Sequence, residues 1–330
     1  MTMNVLQDSF GRTFPYLRLS VTEACNFRCL YCLPDGYRKT GQPQFLSVRE
    51  IERLIGACVA LGVQKVRLTG GEPTVRRDLT AIAAAVSCTP GIRTVGLTTN
   101  GYNLKEKAAE FFAAGVRALN VSVDSLDPST FQAVTGHDKL GTVLAGIDAA
   151  RRAGLRNIKI NTVLLKGVND ASLPEFLRWI RREALCVRFI ELMQTGDNLA
   201  YFRKHHLSAA VMQQRLLECG FSPRPRPRAH DAGPAVEFEH PDYAGSVGLI
   251  APYSKDFCAT CNRLRITARG SLMPCLFGAG GYDLRALLQR DEQQEELQNA
   301  MLRALRFKHA GHDLHRGVTG ATLHLASLGG

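Results

Sequence analysis

The chain has 330 residues, 45% hydrophobic content and a net charge of +11. That is ample for a buried core in one large domain or two smaller ones, and its apolar runs, such as 81–86, are too short to cross a bilayer. The first thirty residues carry Asp8, Arg12, Arg18 and Glu23 with no uninterrupted apolar stretch, so neither a signal peptide nor a membrane span is expected and a soluble, cytoplasmic protein is.

Short β-rich runs alternate with helical patterns through the first two thirds. A strand is predicted over 16–21. Ser47 then caps a helix, with Glu50 as capping-box partner and Ile51, Leu54, Ile55 and Cys58 as its apolar stripe. Strands over 65–69, 94–98, 118–123, 158–165 and 187–192 follow. They are separated or followed by helices near 78–86, 104–114, 129–153, 173–183 and 208–219. That makes about six βα units, the pattern of a parallel sheet with helical crossovers. Six are too few for a complete eight-stranded barrel, and periodicity alone fits a doubly wound sheet or an incomplete barrel. In both, ligands sit at the carboxyl ends of the strands. The texture changes near 221, where prolines and arginines alternate over 223–228. Alternating prolines exclude a helix there, so a solvated connector is expected. Short β-like runs over 236–238, 246–250 and 264–267 follow. The expected division is 1–220 and a smaller module over 221–330.

Ten cysteines in a reducing compartment point to metal or catalysis rather than to disulfides. Cys58, Cys88, Cys186 and Cys219 stand alone and read as packing residues. The rest form two trios: Cys25, Cys29 and Cys32 after the first strand, and Cys258, Cys261 and Cys275 in the C-terminal module. Structural zinc wants four ligands, and neither trio has a local fourth, although His240 precedes Cys258. An iron–sulfur cube held by three thiolates keeps one iron open for an exogenous ligand. Gly70-Gly71-Glu72-Pro73 follows the second strand and allows close backbone approach. There is no P-loop. Four cations, Lys65, Arg67, Lys159 and Arg188, stand on three strands otherwise rich in Val, Leu and Ile, which points to a polyphosphate pocket.

The C-x3-C-x2-C spacing, with Tyr31 before the last cysteine, resembles the radical S-adenosylmethionine superfamily. With Gly70-Gly71-Glu72-Pro73, Thr98-Thr99-Asn100-Gly101, Asn120-Val121-Ser122, Glu191-Leu192-Met193, the second trio with Arg263-Leu264-Arg265, and Gly329-Gly330, the chain is similar over nearly its whole length to the GTP 3′,8-cyclase family, which opens molybdenum-cofactor biosynthesis. The departures are minor: the tail reads Ala-Ser-Leu-Gly-Gly where isoleucine usually precedes the glycines, and the Pro/Arg connector is peculiar to this chain.

This resemblance implies an incomplete (βα)6 TIM-like barrel of parallel strands with a small C-terminal module carrying a second Fe–S cluster. It implies two [4Fe–4S] clusters, on Cys25, Cys29 and Cys32 and on Cys258, Cys261 and Cys275. S-adenosylmethionine would bind at Tyr31, Gly71, Ser122 and Met193. GTP would bind at Arg18, Lys65, Arg67, Thr98, Lys159, Arg188, Arg263, Leu264 and Arg265, with its base at the second cluster. Arg263, Arg265, Gly329 and Gly330 join the first trio as expected catalytic residues. An external one-electron donor and a downstream pterin synthase are the expected partners, with no membrane and no nucleic acid, in a monomer or homodimer. Two rival readings remain: another radical enzyme with an auxiliary cluster, such as a peptide modifier, and a zinc-stabilised nucleic-acid-binding protein suggested by the charge.

Overall fold

The computed structural model describes residues 5–38, 44–224 and 230–329; Gly330 and positions 225–228 of the connector lie outside the described residues. The six expected strands form in order: β1 (Tyr16–Ser20), β2 (Lys65–Thr69), β3 (Thr94–Thr99), β4 (Val116–Ser122), β5 (Asn157–Leu164) and β6 (Cys186–Glu191). Their crossovers hold α1 (Val48–Ala60), α2 (Leu79–Cys88), α3 (Leu104–Ala113), α4 (Pro128–Thr135), α5 (Leu140–Arg152) and α6 (Leu173–Arg182). The capping box of α1 is present: the Ser47 hydroxyl accepts from the Glu50 amide, and the Glu50 carboxylate accepts from the Ser47 amide at 2.8 Å.

After β6 come α7 (Leu199–His205), α8 (Ala209–Glu218), β7 (Ser222–Pro223), β8 (Val236–Glu239), β9 (Ser246–Ile250), β10 (Arg263–Ile266), β11 (Ser271–Met273), β12 (Tyr282–Asp283) and α9 (Gln294–Arg306). The sequence reading missed α7, α9, β7, β11 and β12. For α9 the signal was present. Leu297, Met301, Ala304 and Leu305 make one buried stripe, with Glu295 and Glu296 in the first turn and Arg303 and Arg306 in the last, complementing the helix dipole. Helix α7 has no buried residue and therefore no stripe to read.

Among the described residues the twelve strands belong to one sheet, in the order β12-β11-β10-β1-β2-β3-β4-β5-β6-β9-β8-β7. The C-terminal segment adds a parallel strand at each edge of the six: β10 pairs with β1, and β9 with β6. Eight consecutive parallel strands result, but β9 and β10 do not pair with each other among the described residues, so the barrel is open. Antiparallel β11 and β8 continue the two ends. On β5, Ile158, Ile160, Thr162 and Leu164 are buried toward the helices, and Lys159, Asn161 and Val163 alternate onto the other, inner face. One hydrophobic core runs from Leu6 to Leu305, with α9 packed on α1, so the C-terminal segment shares the core of the barrel. Among the described residues no helix is long and apolar enough to cross a membrane.

Arg12 ties the chain's two ends together. Its guanidinium meets the fully buried Asp8 carboxylate at 2.7 Å and donates to the carbonyls of Cys258 (2.9 Å), His309 (2.7 Å) and Ala310 (2.6 Å). Removing one member of a buried ion pair strands the other charge, at about 3–5 kcal/mol. Arg12→Met is therefore expected to lower unfolding free energy by about that amount and to open 305–315 to proteolysis. Urea unfolding that changes by less than about 1 kcal/mol would contradict the strap.

Candidate active site

The loop carrying the first trio is clamped at both ends by backbone. Gly71 and Glu72 amides donate to the Thr22 and Ala24 carbonyls at 3.0 and 2.8 Å. Such an approach needs glycine: a Cβ on Gly70 or Gly71 would strike those carbonyls, and Gly70 also holds φ +146°. At the far end, Arg28 and Leu30 amides donate to the carbonyls of Thr135 and Val134. The Glu72 carboxylate is buried and accepts from Thr74 N (3.0 Å), Thr74 Oγ1 (2.6 Å), Thr99 Oγ1 (2.7 Å) and Asn100 N (2.6 Å). Thus it fastens the ends of β2 and β3, Oε1 taking three of the four hydrogen bonds and Oε2 one.

Cys25, Cys29 and Cys32 are partly buried free thiols. Burial pushes Cys25 up to about 11 and Cys32 to about 12, and raises Cys29 well above its usual value; Glu72 adds to the shift of Cys25, Cys25 to that of Cys32, and Asp124, Cys32 and Cys25 to that of Cys29. Such a trio carries negative charge only against a metal centre. Three donors per site fit a cube with one open iron. Among the described residues no three His, Cys, Asp or Glu side chains converge tightly enough to hold a single metal ion. Tyr31 is buried beside this loop and donates its hydroxyl to Asp124 at 2.9 Å; burial pushes Asp124 up to about 6. Asn198 donates to the carbonyls of Tyr31 and Met193, joining the trio loop to the end of β6.

The second trio lines an interior cavity together with Arg18 of β1, Asn120 of β4, Asn161 of β5, Arg188 of β6, Ile250 of β9, and Arg263 and Arg265 of β10. Residues from both halves of the sheet meet around one space, so the sheet curls about it. Met193 lines the cavity as well; Tyr31, Gly71, Ser122, Lys65, Arg67, Thr98 and Lys159 are not among its lining residues. The Leu264 side chain packs in the core on the opposite face of β10, as alternation dictates, leaving only its backbone on this side. Lys65 is held by Asp231, through its carbonyl at 3.0 Å and carboxylate at 3.4 Å. Lys159 is held by Glu237 at 3.3 Å. Arg67 donates to Tyr16 Oη and the Leu97 carbonyl, both at 2.9 Å.

Burial lowers the affinity of Arg18, Arg188 and Arg265 for their protons, and neighbouring guanidinium groups lower it further. Arg18 falls to about 10. Four buried polar atoms on cavity-lining residues lack a protein partner, Asn120 Oδ1, Asn161 Oδ1, Arg188 Nε and His312 Nε2, and Thr98 Oγ1, outside the lining, is a further orphan. Orphaned donors and acceptors beside buried cations suit an anionic, hydroxyl-bearing ligand.

The C-terminal tail runs between trio and cavity. The Ala326 amide hydrogen-bonds Cys32, Ser20 donates to the Ser327 carbonyl, and the Gly329 carbonyl accepts from Arg18 at 2.7 Å and Arg265 at 2.9 Å. Gly329 holds φ +63°, and a Cβ there would strike Thr69. Sequence reasoning missed Tyr16, Asn120, Asn161, Lys308 and His312. Tyr16 alternates with Arg18 on β1, and Asn120 stands two before Ser122, so strand period could have found both. Lys308, buried and bonded to the Pro274 carbonyl, and His312, whose Nε2 is a buried orphan, belong to no motif.

The Radical SAM superfamily model matches residues 19–180, and the Molybdenum Cofactor Synthesis C model matches 185–314. Two solved structures share the fold. Streptococcus suis SuiB bound to S-adenosylmethionine has a TM-score of 0.57 at 14% identity, covering 89% of this chain and 66% of that one. anSMEcpe with bound AdoMet has a TM-score of 0.56 at 11% identity, covering 91% and 94%. Fold, first trio and family model together place the chain among radical S-adenosylmethionine enzymes. GTP 3′,8-cyclase of Stenotrophomonas maltophilia (strain K279a) is 56% identical, covering 99% of this chain and 100% of its own. That of Yersinia pestis is 52% identical, covering 98% and 99%. The chain belongs to the GTP 3′,8-cyclase family.

Glu72→Gln places an amide N–H₂ among four donors. Stranding such donors costs about 2–3 kcal/mol, so the variant is expected to unfold at lower urea and to retain less iron at the first trio. Unchanged stability together with full iron would show that the clamp is dispensable.

Proposed function

We propose that this chain converts GTP to (8S)-3′,8-cyclo-7,8-dihydroguanosine 5′-triphosphate, a step of molybdenum-cofactor biosynthesis. The observation that carries the proposal is the single cavity in which Arg18, Arg188, Arg263 and Arg265 meet Cys258, Cys261 and Cys275, in a chain 56% identical to GTP 3′,8-cyclases. Cys25, Cys29 and Cys32 would hold a [4Fe–4S] cluster, and Met193, Ser122, Gly71 and Tyr31 would hold S-adenosylmethionine. Bound there, these groups supply one-electron cleavage of the sulfonium and hydrogen-atom abstraction.

The protein's own side chains bind, orient and exclude water. Arg188, Arg67, Lys65 and Lys159 receive the triphosphate, exchanging contacts with Asp231 and Glu237 for phosphate oxygens. Thr98, Asn120 and Asn161 present unpaired oxygens to ribose hydroxyls. Arg263 and Arg265 stand between ribose and base, and Gly329, with Gly330 beyond it, holds Arg18 and Arg265 through its carbonyl. The base lies against Cys258, Cys261 and Cys275, which hold the second [4Fe–4S] cluster. The ribose would lose a hydrogen atom from C3′ to the 5′-deoxyadenosyl group, C3′ would bond to guanine C8 as the C8–N7 double bond opens, and the base radical so left would take one electron from the external donor and one proton. An enclosed cavity keeps water and oxygen from competing. An external one-electron donor drives the reaction, and a pterin synthase takes the product.

Reconstituted protein given S-adenosylmethionine and reductant is expected to form 5′-deoxyadenosine with GTP and not with ATP. Equal formation with both nucleotides would overturn the substrate. Iron analysis is expected to give about eight irons per chain, as two cubes require. Cys275→Ala is expected to lose about half of them and cyclisation, while retaining slow reductive cleavage of S-adenosylmethionine. Four irons in the parent protein would sink the second cluster.

A further inference from the structure

Tyr16 opens β1 two residues before Arg18 and lines the cavity, although no motif contains it. It is 4% exposed. Its hydroxyl oxygen accepts from Arg67 Nε at 2.9 Å, and Arg18 is hydrogen-bonded to the same hydroxyl. The Lys65 ammonium lies 5.0 Å from its ring centroid. Arg188 of β6 and Arg265 of β10, the strand paired with β1, interact with it electrostatically, and Arg263 is its register partner on β10. Of the acids near these cations, Asp231 is partnered with Lys65, and Glu237, which also acts on Arg188, with Lys159. A phenol so placed is in hydrogen-bond contact with both Arg67 and Arg18 and, once ionised, offers its negative charge to both.

We propose that Tyr16 is a positioning residue that serves as the built-in counter-ion of the nucleotide cavity: as a phenolate it holds Arg67 and Arg18 in place, and it takes a proton from solvent when the nucleotide's triphosphate enters. The proposal rests on GTP being the ligand of this cavity. Its physical basis is competition. Phenolate and triphosphate share the same cations, and Coulomb repulsion between them, strong in a low-dielectric interior, expels the weaker anion's charge as a protonated hydroxyl. Burial alone pushes the phenol up, but Arg67, Arg18 and Lys65 more than offset this and hold it down at about 7. A neutral phenol in the complex still accepts from Arg67, so the guanidinium keeps its direction while its charge turns to phosphate.

The sign of the linkage follows. Above pH 7 the hydroxyl is ionised before binding and protonated after, so binding takes up a proton and GTP affinity falls as pH rises, by up to about tenfold per unit. Calorimetric titration of the anaerobic, cluster-loaded protein with GTP at pH 8, without reductant or S-adenosylmethionine, in buffers of different ionisation enthalpy, counts the protons. Close to one proton per GTP is expected for the parent. Tyr16→Phe should bind GTP with that uptake lost and the pH dependence flattened. GTP binding without uptake in the parent, or the same uptake in Tyr16→Phe, overturns the counter-ion. A parent that does not bind GTP overturns the nucleotide reading itself and this inference with it. A purely packing role for Tyr16 would shift affinity but leave the proton count unchanged.

Discussion

Like charge gathered in a low-dielectric interior is the constraint on which the structure depends. At a separation of about 6 Å and an effective dielectric near 20, two guanidinium groups repel by about 3 kcal/mol, and a few such pairs rival the whole stability of a domain. Arg18, Arg67, Arg188, Arg263 and Arg265 nonetheless share one curled sheet. Their compensation can be read atom by atom. Arg67 uses Tyr16 and the Leu97 carbonyl, and Arg18 and Arg265 use the carbonyl of Gly329. Lys65 and Lys159, at the margin, carry their own acids. Arg188 keeps an orphaned Nε. An interior built this way is preorganised for an anion, because the cost of gathering the cations was met on folding.

The trios pose the opposite electrostatic problem and are treated differently. Around Cys25, Cys29 and Cys32, burial first and then nearby carboxylates and thiols push the thiols above their usual values. Around the second trio the cations intrude: burial raises Cys261, but Lys308 and Arg263 bring it below the usual thiol value. Cys261 therefore already has positive neighbours, which would lower the cost of the net negative cluster proposed there. The tail from Ala326 to Gly329 touches both regions, reaching Cys32 at one end and Arg18 at the other.

Much of this was legible in the sequence, for reasons that differ by feature. The six βα units were readable because inward and outward residues alternate on each strand and each helix carries a stripe. The trios were readable because thiolate spacing is local. Helix α9 was legible and overlooked. Strand period could have placed Tyr16 beside Arg18, but its contact with Arg67 lies more than thirty residues away, as does the bond of Lys308 to the Pro274 carbonyl, and neither Lys308 nor His312 belongs to a motif. Leu264 shows the converse error, in which a motif is contiguous in sequence but alternates in space, so that its central side chain faces the core.

The chain's route explains why the second trio stands at the open seam. Strand β9 pairs with β6 at one edge of the parallel array and β10 with β1 at the other, and only residues 251–262 join them. Both strands run in the same direction, so this connection must return the length of a strand as well as cross between edges. In a flat sheet the edges would stand about 34 Å apart at about 4.8 Å per strand spacing. Twelve residues could span that diagonal only when nearly fully extended. They are not extended: successive turns close from Ser254 to Ala251, Phe257 to Ser254, Ala259 to Asp256 and Cys261 to Cys258. The two edges must therefore approach each other, and the turns that carry Cys258 and Cys261 fill the gap between them. Placing the second trio and curling the sheet around the arginines are consequences of the same short connection.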